Sequence, residues 1–166
     1  MRVTKGMTVL FVLSFLVWIG LRVIVSIQFN QECGGHLKRA ADASTIEMAK
    51  TELETSLKYL EANNLTKGYT SIIYNTPNED IGFWYQNLKA SFTELEKVSP
   101  EASQLEKTNI LMKLRETLLD TSENGIKVTI PQGIAIFPFN MLFAGFGLIT
   151  SMLCVIGVIP WIEKTL

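Results

Sequence analysis

Two apolar runs bracket a polar middle. Met7 to Ile27 (MTVLFVLSFLVWIGLRVIVSI) carries one charge, Arg22, and Ile134 to Ile162 carries none. As a helix rising ~1.5 Å per residue, the first run spans about 31 Å, close to the ~30 Å hydrocarbon core of a bilayer. In the second run Pro138 and Asn140 mark the start, because proline is costly inside a helix and asparagine caps one. The helix is expected from about Met141 to Ile159, ending at Pro160 with Trp161 at an interface.

The middle is patterned for helices. Ile46, Ala49, Leu53, Leu57 and Leu60 recur at spacings of three and four, one face of a helix that Asn63-Asn64 and Gly68 end. Thr76-Pro77-Asn78-Glu79 reads as a helix start with a capping box, followed by a stripe of Ile81, Trp84, Tyr85, Leu88, Phe92 and Leu95. Ser99-Pro100-Glu101 opens a third helix with Leu105, Leu111, Leu114 and Leu118 inward. Tyr69 to Tyr74 (YTSIIY) and, after a turn at Asn124-Gly125, Ile126 to Ile130 (IKVTI) read as strands that bracket the helical hairpin and pair antiparallel. Gly34-Gly35 interrupts the path out of the first apolar run. The first outer helix, about 26 residues or ~39 Å, must then tilt, break or lie along the domain if the first strand is to return to the second.

The expected class is a mainly α membrane protein: two transmembrane helices flanking an extracytoplasmic domain of three amphipathic helices, with a small two-stranded β-ribbon. Its divisions are residues 1–6 as a tail, 7–27 as the first span, 28–133 as the helical domain, 134–162 as the second membrane segment and 163–166 as a tail. A cleaved signal peptide is the rival reading of the first span. The run is long for one, Arg22 interrupts its end, and no A-x-A site follows.

Charge sets an orientation. Arg2 and Lys5 precede the first span, only Glu163 and Lys164 are charged after the second, and Gln28 to Asn140 holds eleven Lys and Arg against fifteen Asp and Glu, a net of −4. The positive-inside rule then puts both termini in the cytoplasm and the middle outside, in a cell membrane. Over all 166 residues, 15 basic against 16 acidic side chains leave no basic footprint for nucleic acid.

Candidate chemistry is sparse. Cys33 and His36 have a Cys-x-x-His spacing, but a structural zinc takes four ligands and the other cysteine, Cys154, lies in the second span. No metal site and no cofactor is implied. With no partner in its own chain, Cys33 is a candidate for an intermolecular link. Arg22 is a candidate intramembrane charge, weighed against snorkelling to the head groups. Ala144, Gly147, Ser151 and Cys154 fall at i, i+3, i+7 and i+10, flanked by Thr150 and Gly157, a small-residue stripe suited to helix packing in a membrane against Ser14 or Gly20 or another subunit. Phe83, Trp84 and Tyr85 form the densest aromatic cluster and are the candidate partner or ligand surface, although helical spacing favours the core for Trp84 and Tyr85 and leaves Phe83 off the stripe. Asn64-Leu65-Thr66 matches a glycosylation sequon.

There is no Gly-rich phosphate loop, nucleophile elbow or His-Glu metal motif, so no enzyme is expected. In layout alone, span, helical ectodomain and span, the chain resembles the sensing half of bacterial chemoreceptors and sensor kinases. It lacks their cytoplasmic output after Ile162 and shares no motif with them. The expected function is a non-enzymatic, membrane-anchored interaction or scaffold module that self-associates or joins another membrane protein. The alternative is an extracytoplasmic ligand-binding sensor or accessory subunit acting through a separate membrane partner.

Overall fold

The computed structural model describes residues 5–122 and 125–162. It is mainly helical, with one two-stranded antiparallel sheet. Helix α1 (Lys5–Phe29) passes through a π-helical turn (Asn30–Gly34) into α2 (Gly35–Ala41), so one helix of 36 residues runs from Gly6 to Ala41. At ~1.5 Å per residue it is about 54 Å long, well beyond what an apolar layer of ~30 Å would cover. This corrects the interruption expected at Gly34-Gly35. The two glycines let the chain widen into a π turn: a Cβ on Gly35 would stand 2.9 Å from the Asn30 carbonyl oxygen, which accepts the Gly35 N–H.

A turn at 42–45 reverses the chain into α3 (Ile46–Ala62), where the Thr45 side chain accepts the Met48 N–H as N-cap. The expected stripe is the buried face: Ile46, Ala49, Leu53, Leu57 and Leu60 are all inside. Because the reversal comes at Asp42, α3 already heads back toward α1, and the single long outer helix does not exist. Its end is a Schellman motif. Asn64 is left-handed (φ 57°), the Leu65 N–H bonds the Leu60 carbonyl at 2.8 Å, and both leucines are buried.

Residues 69–76 are not a strand. Tyr69 makes only an isolated bridge to Asp80, and the Thr70 N–H bonds the Glu79 carbonyl at 3.0 Å, closing a loop onto the next helix. Gly68 (φ 107°) lies against the Phe137 ring, where a Cβ would come within 2.8 Å. Pro77–Glu79 is a single 3₁₀ turn, and α4 (Ile81–Glu96) starts after it, capped by Asp80. Likewise α5 (Gln104–Leu118) starts later than Ser99, capped by Ser103. Leu114 and Leu118 are buried and Leu111 partly so, but Leu105 is 71% exposed because, six residues before Leu111, it faces the opposite side of α5, the side that also exposes Met112.

Strand β1 (Leu119–Ser122) pairs with β2 (Gly125–Val128) in the register Leu119 to Val128. The partner of the IKVTI segment is thus the chain just before it, not YTSIIY. Asn124 of the expected turn lies outside the described residues.

Contacts between α2 and α3, α3 and α4, α4 and α5, and α5 and α2 close a four-membered helical bundle. Its core joins Cys33, Leu37, Leu53, Leu60, Ile81 and Leu88 with Leu114 and Leu118. After a short 3₁₀ turn (Ile134–Ile136), α6 (Asn140–Ile162) packs along α1. It continues past the expected stop at Pro160, which lacks the N–H for one helical bond without ending the helix.

Candidate functional site at the base of the bundle

Two helices, Gly6–Ala41 and Asn140–Ile159, are long and apolar enough to cross a membrane. They pair along a seam. The Thr8 hydroxyl donates to the Gly157 carbonyl at 3.1 Å, and the Trp18 indole N–H donates to the Phe143 carbonyl at 2.8 Å. The Trp18 ring fills the notch left by Gly147, where a Cβ would stand 2.3 Å from Cζ2. Gly147, Thr150 and Gly157 are the buried members of the stripe, while Ala144, Ser151 and Cys154 are half-buried beside it. The facing residues on α1 are Thr8, Phe11 and Trp18; Gly20 has open space where a Cβ would go. Outside the seam, α1 and α6 present leucine, isoleucine, valine and phenylalanine outward on every other face.

Arg22 lies one turn beyond Trp18, its guanidinium over the indole ring at 5.4 Å. It lines a cavity with Asn140 and Ala144, so it stands level with the first turn of α6 rather than midway along the pair. The loop 70–76, walling the same cavity, closes over this level from the bundle side.

The other candidates fall inside the bundle. Cys33 is 0% exposed, and burial pushes its thiol up to about 12, partly offset by a hydrogen bond with Ser56. The Ser56 hydroxyl also donates to the Cys33 carbonyl at 3.2 Å, tying α3 to the π turn. A thiol so placed meets no second copy unless the bundle opens, so an intermolecular link through Cys33 is corrected on steric grounds. His36 Nδ1 lies 2.6 Å from Glu52 Oε2, and the other Glu52 oxygen is 2.6 Å from Arg39. Among the described residues no group of three His, Cys, Asp or Glu is placed to hold a metal ion.

Trp84 and Tyr85 are core residues with satisfied polar ends. The Trp84 indole donates to the Thr129 carbonyl at 2.7 Å, and the Tyr85 hydroxyl donates to Glu61 Oε1 at 2.5 Å. Only Phe83, 63% exposed, is left as surface. The aromatic cluster is thus corrected as a joint surface: Trp84 and Tyr85 tie α4 to the segment after β2 and to the end of α3.

The residues that converge with Arg22 escaped sequence reasoning. Thr70 and Ser71 sit inside the apolar YTSIIY pattern, and Glu79 inside a capping motif. Asn140 was visible only as a helix cap. No protein-family model matches the chain, and neither a curated protein nor a solved structure shows similarity to it.

Proposed function

We propose that the chain is a non-enzymatic, membrane-anchored interaction module. Its two apolar helices cross a cell membrane with both termini in the cytoplasm. The helical bundle stands on the outer face, where it associates with further copies or with another membrane protein. The observation that carries this reading is the uninterrupted helix Gly6–Ala41, apolar and outward-facing in its first part and buried in the bundle in its last. A helix apolar all round needs apolar surroundings, and among the described residues nothing covers the outward faces of α1 and α6. The bundle is therefore held at a fixed height on its spans.

Leu105 and Met112, exposed seven residues apart on the outward face of α5, offer the association surface. Leu105→Cys and Met112→Cys treated with a short bifunctional maleimide in native membranes test this. Adducts of at least twice the chain's mass are expected; a purely monomeric band from both sites contradicts it.

The second reading, an accessory subunit that passes a ligand signal through its spans, is favoured by that same helical continuity, since a rigid connection transmits tilt and rotation. It requires the α1–α6 seam to differ between liganded and free states. Cysteine pairs across the seam whose cross-linking rate ignores any ligand would dismiss it.

A further inference from the structure

Arg22 of α1, Thr70 and Ser71 of the loop, Glu79 and Asn140 of α6 wall one cavity of about 390 Å³ at the base of the bundle. Three buried side-chain oxygens among the described residues have no hydrogen-bond partner: Thr70 Oγ1, Ser71 Oγ and Asn140 Oδ1. All three belong to this one wall. Thr70 is 3% exposed and Asn140 7%, so both are folded away from bulk water. Buried polar groups nearly always find partners, and three orphans gathered around one cavity mark a place where the partner comes from outside the chain.

The chemistry divides into two halves. Arg22, which forms no ion pair among the described residues, supplies fixed cationic donors, and the Thr70 and Ser71 hydroxyls supply neutral ones once their side chains turn about χ1. Such a set suits phosphate oxygens. The other half accepts. Asn140 Nδ2 donates to the Gly133 carbonyl at 2.9 Å, which fixes the amide so that Oδ1 is the free end. Glu79 takes one hydrogen bond from the Thr76 hydroxyl and retains lone pairs for a second donor. An amide oxygen and a carboxylate together suit a primary ammonium.

We propose that this cavity binds the head group of an aminophospholipid, with its phosphodiester on Arg22, Thr70 and Ser71 and its ammonium on Asn140 and Glu79. The inference rests on the membrane-anchored reading above. Ile72, Ile73 and Tyr74, all more than half exposed, lie beside the cavity mouth and give the acyl chains an apolar shelf. A choline head group fits the phosphate half equally but has no N–H for the other.

The test uses the full chain, purified in mild detergent and stripped of lipid, with its melting temperature followed against added ligand. Dioctanoyl phosphatidylethanolamine is expected to raise it, and dioctanoyl phosphatidylcholine and inorganic phosphate to do so far less. Arg22→Gln and the isosteric Thr70→Val should each weaken the response about tenfold or more. Equal responses to the two lipids, or an unchanged response in both variants, overturn the proposal. So does a response to free phosphoethanolamine as strong as to the lipid, which assigns the cavity to a soluble phosphoamine. An alkaline wash of wild-type membranes separates the two claims. Protein that stays in the membrane but ignores the lipid refutes the cavity alone, while protein released by the wash refutes the anchored reading itself.

Discussion

Cys33 and Tyr85 hold their protons more tightly in the folded chain than free side chains do. Burial pushes the Cys33 thiol up from 9.0 to about 12, and the hydrogen bond to Glu61, aided by burial, pushes the Tyr85 phenol up from 10.0 to about 12. Both groups are neutral when protonated and both rise on folding. Their contribution is therefore complete below about pH 9 and lost as pH climbs through about 12. The bundle should lose stability over that window, and Cys33→Ala and Tyr85→Phe should each flatten part of the decline in pH-dependent thermal unfolding. Size effects follow burial in the same way. Leu53→Ala, at a fully buried position, should cost about 2–5 kcal/mol, whereas Leu105→Ala should change stability by no more than about 0.5 kcal/mol; denaturant unfolding checks both. The contrast also shows what residue spacing conveys. Leu53 stands four residues from both Ala49 and Leu57 on one buried face of α3, whereas Leu105 stands six residues before Leu111, on the opposite side of α5 from the buried Leu114 and Leu118.

Among the elements, periodicity located α3 and α4 well, because each buries a continuous face against two neighbours. It misread YTSIIY, since β-branched and aromatic residues fit a half-buried surface of any backbone form. That segment packs as a loop tied to Glu79 and Asp80, and the true β1, Leu119–Ser122, has too little strand character to stand out after a helix. Gly34-Gly35 carried the opposite lesson: a glycine pair that reads as a break is the close contact that a π turn needs. Gly35→Ala should strain that turn against the Asn30 carbonyl and lower the melting temperature, while Gly20→Ala, facing open space, should not. On α6, Gly147→Ala drives a methyl into the Trp18 ring and should cost about 1–3 kcal/mol by overpacking; Gly145→Ala, with nothing nearby, is the control in the same detergent melts.

At the level of the molecule, the α1–α6 pair and the bundle form one continuous structure, because α1 is a strut of the first and its extension α2 a wall of the second. The two apolar runs were plain in the sequence, since each holds at most one charge in more than twenty residues. The cavity at the base was not. The five residues assigned to the head group are scattered from position 22 to position 140 and meet where the loop 70–76 comes down to the first turn of α6. The proposed membrane arrangement has its sharpest check in the side of the membrane from which the bundle can be labelled. Leu105→Cys, on the exposed end of α5, should react with a membrane-impermeant maleimide on intact cells, whereas the unaltered chain, whose Cys33 is buried, should not. Labelling that appears only after the cells are broken would contradict the account.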